Sequence, residues 1–187
     1  MNAPIDAQAV VTATRDWVEK AVIGLNLCPF AKAVQVKGQI RYVVSAAVDE
    51  DSLLRDLTAE LEWLRDADPA QTDTTLLIHP QVLGDFLDYN GFLEVADAAI
   101  EALDLEGVLQ VASFHPDYQF VDTMPDDIEN FTNRSPYPTL HLLREASVER
   151  AVAAFPEAAD IFAANMQTLD KLGIAGWRAL GLPVRAK

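Results

Sequence analysis

Two repeats of hydrophobic positions along the chain predict where helices fall. Leu53, Leu57, Leu61 and Leu64 recur three and four residues apart behind an acidic start, which is typical of an amphipathic helix. A second run of the same period covers residues 86–103 and predicts another long helix. Shorter helical patterns open the chain and follow residue 147.

Runs rich in β-branched residues and leucine predict the strands. They cover residues 41–47, 74–80, 108–114 and 139–144. The run AVQV at residues 33–36 is separated from the first of these by Lys37-Gly38, which favours a hairpin. Strands joined through helices run parallel, and the last strand is left open between a parallel and an antiparallel direction.

The order of elements predicts the α/β class. We expect one domain over residues 1–187, with frayed ends at 1–4 and 181–187. Its core would be a single small, mixed, mostly parallel sheet of four to five strands with helices packed against it.

One connection is unusually long. Residues 116–137 form a stretch of 22 positions between two predicted strands, and connections of this length are usually functional or disordered. The stretch carries Tyr118, Phe120, Phe131 and Tyr137, whereas disordered segments are poor in aromatic residues. We therefore predict an ordered, functional loop.

The charge is unevenly distributed. Residues 66–133 contain 15 acidic residues and no Lys or Arg, and the net charge of the chain is −15. Nucleic acids and anionic membranes require basic patches, so we expect neither as a partner. A small-molecule substrate is the expected ligand, and the oligomeric state is left open.

The cysteine content bears on the compartment. Cys28 is the single cysteine, so no internal disulfide can form, which is typical of a reducing compartment. The first residues lack the pattern of a signal peptide, and no apolar run reaches the length of a membrane span. We expect a cytoplasmic protein.

The topology predicts where chemistry would lie. His79 and His115 each end a predicted strand, and the carboxyl ends of parallel strands share the edge where α/β sheets bind ligands. A hairpin would bring Cys28 to the same edge, and an antiparallel last strand would bring His141. The first hypothesis is a Cys/His-dependent hydrolase or transferase acting on a small polar metabolite. Cys28 would be its nucleophile and His115 its general acid/base, oriented by Asp117.

The long loop supplies candidate substrate ligands. Asn130, Asn133, Arg134 and Ser135 could hold an anionic group, with His141 beside them. The alternative for Arg134 is an ion pair with a carboxylate of the loop, which would hold the loop closed. For the cysteine and the histidines, the alternative is a buried structural role.

Two further hypotheses remain open. A transition-metal site could use Cys28, His79, His115 and His141, although no two of these lie close in sequence. A non-catalytic module could bind a ligand or a partner through the long loop. The common nucleotide, zinc-protease and nucleophile-elbow motifs are absent from the sequence, and no cofactor is predicted.

Three stretches together suggest a family. They are GLNLCPFAK at residues 24–32, QVASFHPDYQF at 110–120 and NRSPYPTLHLLREAS at 133–147. With these, the chain resembles a bacterial family with plant relatives known as domain of unknown function 1415, over residues 24–173. The resemblance implies a stand-alone domain and brings no activity or catalytic residue.

Overall fold

The computed structural model describes residues 5–154 and 160–182. The α-helices are α1 (Ala7–Trp17), α2 (Ala31–Val36), α3 (Glu50–Asp66), α4 (Phe86–Ala102), α5 (Glu145–Ala154) and α6 (Ile161–Ala179). The strands are β1 (Ile40–Val44), β2 (Thr74–Ile78), β3 (Leu109–Phe114) and β4 (Thr139–Arg144). A π-helix (Val18–Ile23) extends α1, and a 3₁₀-helix (Ile128–Asn133) lies in the long loop. Of the ends expected to fray, 1–4 and 183–187 lie outside the described residues.

The strands form one mixed four-stranded sheet in the order β1-β2-β4-β3, which confirms the α/β class. β1 and β2 pair in parallel, whereas β4 is antiparallel to both of its neighbours. The pairing is therefore mostly antiparallel rather than mostly parallel as expected. The reason is that β4 lies between β2 and β3, so these two strands, although they point the same way, do not pair.

Strand alternation divides the core between the two faces of the sheet. Leu77, Leu140 and Leu142 pack with the buried stripes of α3 and α4. On the other face, Leu76 and Ile78 pack with α1, the π-helix and α6. The sheet is thus the middle layer of three.

Both ends of α3 are satisfied by side chains. The Asp49 carboxylate accepts a hydrogen bond from the Ser52 amide at 2.8 Å, and the Ser52 hydroxyl lies 3.3 Å from the Asp49 amide, which completes a capping box. At the other end, the buried Arg144 guanidinium donates to the carbonyls of Leu64 and Ala67 at 2.6 and 2.8 Å. These contacts fix α3 against the sheet.

The predicted hairpin before β1 is wrong, because residues 31–36 form helix α2. Gly38 has φ +67° and ends this helix. Its amide donates to the carbonyl of Gln35 at 3.0 Å, and the Gln39 amide donates to that of Val34 at 3.0 Å. This is a Schellman motif, in which glycine takes the left-handed position. The Lys-Gly pair therefore ends a helix and does not turn a hairpin.

Helix α6 contains one break. Gly173 has φ 62° and ψ 173°, outside the helical region, and divides the helix into two segments. Leu169 and Trp177, on either side of the break, are both buried in the same core. Within the described parts of the chain, none of the helices has the length and hydrophobicity that a membrane crossing requires.

Candidate functional site

Three buried rings lie at the carboxyl ends of β2 and β3, and we name them the histidine–tyrosine cluster: His79, Tyr89 and His115. His79 directly follows β2 and His115 directly follows β3, at the edge expected from the sequence. Helix α4 places the Tyr89 ring against both, with ring centroids 5.7 Å from His79 and 5.0 Å from His115. All three residues are completely buried, so none of them faces solvent.

The Tyr89 hydroxyl joins two strands. It donates to the carbonyl of Thr139 at 2.8 Å and accepts from the amide of Phe114 at 3.1 Å. These are the first residue of β4 and the last of β3, so the hydroxyl connects the two strands where they meet the loop. Burial raises the pKa of Tyr89 well above its ordinary value, and the phenol stays protonated.

Both ring nitrogens of His115 are used by the backbone. Nδ1 accepts from the amide of Asp117 at 3.0 Å, so the proton lies on Nε2, which donates to the carbonyl of Leu83 at 3.2 Å. The Asp117 residue itself is exposed. The expected orienting carboxylate is therefore replaced by a backbone amide, because Pro116 turns the chain so that the next N–H points at the ring.

His79 has a similar position at the end of β2, which is separated from β3 by β4. Its Nδ1 donates to the carbonyl of Val82 at 3.1 Å, while Nε2 is buried without a hydrogen-bond partner among the described residues. Burial lowers the pKa of His79 to about 4, and the neighbouring His115 adds to the effect. The two imidazoles, both bonded to successive carbonyls, hold the connection from β2 to α4 in place.

Asn130 organises the long loop. Its side chain is completely buried; Oδ1 accepts from the Phe120 amide at 2.9 Å, and Nδ2 donates to the Met124 carbonyl at 2.8 Å. The loop is ordered around this amide, as its aromatic content predicted. Asn130 has no remaining polar atom on the surface with which to hold a substrate.

Arg134 also closes the loop, although not by the expected ion pair. Its Nε donates to the Tyr118 carbonyl at 3.1 Å and Nη2 to that of Pro125 at 2.5 Å. The guanidinium lies over the Phe131 ring, 4.4 Å from the centroid. Burial lowers the pKa of Arg134, while the carboxylates of Asp117 and Asp126 act in the opposite direction. Backbone carbonyls, rather than carboxylates, are its direct partners.

Asn133 and Ser135 bond within the same region. The Asn133 side-chain amide donates to the carbonyl of Ser113 at 3.2 Å, and its own carbonyl accepts from the His115 amide at 3.2 Å. The Ser135 hydroxyl donates to the carbonyl of Tyr137 at 2.6 Å. The four loop residues expected to bind an anion thus all make bonds that shape the loop.

Cys28 lies with the opposite layer. The amides of Leu27 and Cys28 donate to the Val22 carbonyl at the end of the π-helix, at 2.9 and 3.3 Å. The buried Asn165 of α6 donates to the Leu27 carbonyl at 2.9 Å. Leu27 belongs to the core on the α1 and α6 side of the sheet, and the half-buried Cys28 follows it. Without the hairpin, nothing carries this cysteine to the α4 side.

His141 lies in the middle of the sheet and not at its edge. It pairs with Leu76 of β2 and Ala112 of β3, and its ring centroid is 5.9 Å from that of Phe114. Nε2 lies 2.7 Å from the Thr74 hydroxyl, whose own proton goes to the Leu142 carbonyl at 2.6 Å, so Nε2–H is the donor to Thr74. Burial lowers the pKa of His141 to about 4.

The expected convergence of these groups is therefore not formed. His79 and His115 face α4, whereas His141 points to the other face, because neighbouring residues of a strand point to opposite faces. The Cys28 loop packs on that other face through Leu27. Within residues 5–154 and 160–182, no three His, Cys, Asp or Glu side chains are placed to hold a metal ion. The four residues of the metal hypothesis do not form such a group in the described structure.

A groove of about 450 Å³ lies at the carboxyl ends of β1 and β2. Val82 and Leu83, whose carbonyls bond the two imidazoles, are among the residues that line it. The full lining is Val48, Asp49, Glu50, Asp51, Val82, Leu83, Gly84 and Asp88. Four of these residues are carboxylates and none is basic, so the groove is poorly suited to the anionic group that the sequence led us to expect.

Tyr89 is the residue that sequence reasoning missed. It is one of the regularly spaced apolar positions of α4, and that periodicity gave no reason to separate it from the other core residues. The only signal was chemical, since a buried tyrosine hydroxyl requires a partner. Its partners, Phe114 and Thr139, could not be inferred without the strand register.

These features define a class: a three-layer α/β domain with a long, internally bonded loop across the carboxyl edge of its sheet. The chain belongs to the family described as Protein of unknown function (DUF1415), whose model matches residues 9–179. Neither the curated proteins nor the solved structures gave a match to the chain.

Proposed function

We propose that the protein is a non-catalytic binding module that contacts its partner through the outer surface of the loop formed by residues 116–137. One observation carries the proposal: Asn130 and Arg134 bond the loop from within, while its outer face presents large apolar side chains beside exposed carboxylates. Val121 is 89% exposed and Met124 is 68% exposed. Large apolar side chains grouped on a surface are typical of interaction sites.

The inward bonds make the loop suitable for binding. Asn130 and Arg134 fix the backbone at Phe120, Met124 and Pro125. A loop ordered before association loses little conformational entropy when a partner arrives. Burying one large apolar side chain contributes about 1.5–3 kcal/mol, so Val121 and Met124 would supply part of the free energy that a specific contact requires.

An enzyme built on Cys28 and His115 has less support. Its general base would require a ring nitrogen directed at the thiol or at a substrate. Nδ1 and Nε2 of His115 already bond the backbone of Asp117 and Leu83.

For the compartment, we propose the cytoplasm, since a chain with a single cysteine forms no internal disulfide.

Site-specific photo-crosslinking tests the proposal. A photoreactive phenylalanine derivative is placed at Val121 or Met124, and the protein is irradiated in the cells that produce it. We expect a discrete adduct from both positions. The matched control is position Val36 of α2, which is 78% exposed on another surface and should give none.

The same experiment separates binding from catalysis. The adduct should form with unchanged yield when Cys28→Ser is combined with the crosslinker at position 121. Loss of the adduct in that combination would favour thiol chemistry instead. If neither loop position gives an adduct, the loop is not the binding surface.

A further inference from the structure

Four aromatic rings form a continuous row at the carboxyl edge of the sheet, and we name them the aromatic row: Phe86, Tyr118, Phe120 and Phe162. Successive ring centroids are 5.1 Å apart for Phe86 and Tyr118, 5.0 Å for Tyr118 and Phe120, and 6.2 Å for Phe120 and Phe162. The row thus joins the start of α4, the long loop and the start of α6.

The row lies at the surface. Phe86, Tyr118 and Phe120 are half-buried, and Phe162 is 56% exposed. Leu87, which follows Phe86 in the chain, is 77% exposed, and Val121, which follows Phe120, is 89% exposed. Side chains from three separate elements therefore contribute to one apolar surface.

Acidic residues accompany the row along the chain. The exposed acidic residues that flank the row in the chain are Asp85, Asp88, Asp117, Asp122, Asp126 and Asp127. No Lys or Arg lies between residues 66 and 133. Arg134, the nearest base in the loop, is already bonded to the Tyr118 and Pro125 carbonyls. Arg134 interacts electrostatically with Asp117 and Asp126, but these six carboxylates outnumber it and leave a net negative charge.

We propose that the aromatic row docks a basic segment of another protein, one that carries arginine or lysine together with apolar side chains. The inference rests on the proposed function and adds the chemistry of the partner. Guanidinium groups stack on aromatic faces and pair with carboxylates, and both kinds of group are present here. The partner's apolar side chains would cover Val121, Met124 and Phe162.

The charge argues against other occupants. A second copy of this chain would bring another net charge of −15 to the same surface, and the like charges would repel. A membrane surface is anionic, so it would be repelled as well. A basic peptide segment is the occupant that matches both the aromatic and the acidic parts of the surface.

A set of synthetic peptides tests the proposal on the full-length protein. The probe is a short peptide in which arginine and leucine alternate with serine spacers. Two comparison peptides replace every arginine by glutamate, or every leucine by glycine. We expect the arginine–leucine peptide to bind in titration calorimetry at about 0.15 M salt, and both comparison peptides to bind at least tenfold more weakly, about 1.4 kcal/mol.

Paired variants locate the binding surface. Val121→Ser combined with Met124→Ser should weaken binding about tenfold. Asp122→Asn combined with Asp126→Asn should reduce the affinity about threefold and make it less dependent on salt. The matched controls, Val36→Ser and Asp97→Asn, alter exposed residues elsewhere and should leave the affinity unchanged.

Three results would overturn the inference: equal binding of the peptide without leucine, equal weakening by the control variants, or dimerisation through Val121 and Met124 in sedimentation equilibrium. The failure of the proposed function is distinguishable. If positions 121 and 124 crosslink to a partner without a basic segment, the loop is a binding surface and only the partner chemistry is wrong. If they crosslink to nothing, the proposed function fails first.

Discussion

The backbone amide of Asp117 donates to Nδ1 of His115 across 3.0 Å, which places the proton of the imidazole on Nε2. A histidine followed by an acidic residue two positions later suggested a catalytic pair. The same spacing instead brings a main-chain N–H under the ring, and the imidazole holds the start of the loop. Both ring nitrogens of His115 thus bond the backbone at the edge where catalysis was expected.

The hydroxyl of Tyr89 should be important for stability. Tyr89→Phe removes its bonds to the Thr139 carbonyl and the Phe114 amide and leaves these backbone groups without that partner. We expect the free energy of unfolding to fall by about 1–3 kcal/mol, measured by urea denaturation. The control is Tyr42→Phe, whose hydroxyl donates at 3.2 Å to the Gln35 side chain. If the two variants lose the same stability, the hydroxyl of Tyr89 does not hold the strands.

Stability should rise between pH 4 and pH 6.5 because of two histidines. The pKa values of His79 and His141 are lowered to about 4 in the folded protein, whereas an unfolded histidine titrates near 6.5. Between these values the unfolded chain binds protons that the folded chain does not, so acidification favours unfolding. Each histidine contributes a slope of up to about 1.4 kcal/mol per pH unit.

Urea denaturation at several pH values checks this slope. His141→Asn should reduce the slope of stability between pH 4 and pH 6.5. Above pH 7, the difference in stability between the variant and the natural protein reports the loss of the hydrogen bond to Thr74. An unchanged slope in the variant would mean that His141 titrates normally in the folded state.

The thiol of Cys28 should react independently of His115. The two residues belong to opposite layers, so His115→Gln should change the rate of alkylation by iodoacetamide by less than about twofold. Cys28 is the single cysteine, and Cys28→Ser provides the blank. Circular dichroism verifies that the His115 variant is folded. A tenfold slower reaction would restore the thiol–imidazole hypothesis.

Two glycines should respond in opposite ways to alanine. Gly173 has φ 62° and ψ 173°, a region that is essentially restricted to glycine, so Gly173→Ala should cost about 1–3 kcal/mol. No atom lies within 4 Å of the added Cβ, so the cost comes from the backbone alone. Gly91 lies exposed inside α4 with equal space around it, and Gly91→Ala should stabilise by about 0.5–1 kcal/mol. Thermal denaturation compares the stabilities of the two variants. If both substitutions change stability in the same direction, the different backbone conformations of Gly173 and Gly91 do not determine their effects.

The elements with a clear period were predictable from the sequence. The four leucines of the predicted α3 stripe all lie in the core, and β4 begins and ends at the predicted residues. The segment at residues 33–36 was not, because four residues are too few to distinguish the repeat of a strand from that of a helix. Gly38 fits both interpretations, since hairpin turns and helix ends both use a left-handed glycine.

The candidate site was predictable only in part. The positions of His79 and His115 at one edge followed from the strand ends. The face occupied by His141 depends on the register between β2 and β4, which a local pattern does not contain, and a shift of one residue would reverse that face. Whether Asp117 contacts the His115 ring through its carboxylate or through its backbone amide depends likewise on the turn at Pro116, which the local sequence does not specify.

The position of β4 has a consequence for biosynthesis. In the sheet, the hydrogen bonding between β2 and β3 passes through β4, a strand that leaves the ribosome later than either of them. Until residue 144 has emerged, the β1–β2 pair and β3 each expose an unsatisfied edge. The β1–β2 pair and β3 of the nascent chain are therefore exposed to aggregation through these edges until the final strand inserts between them.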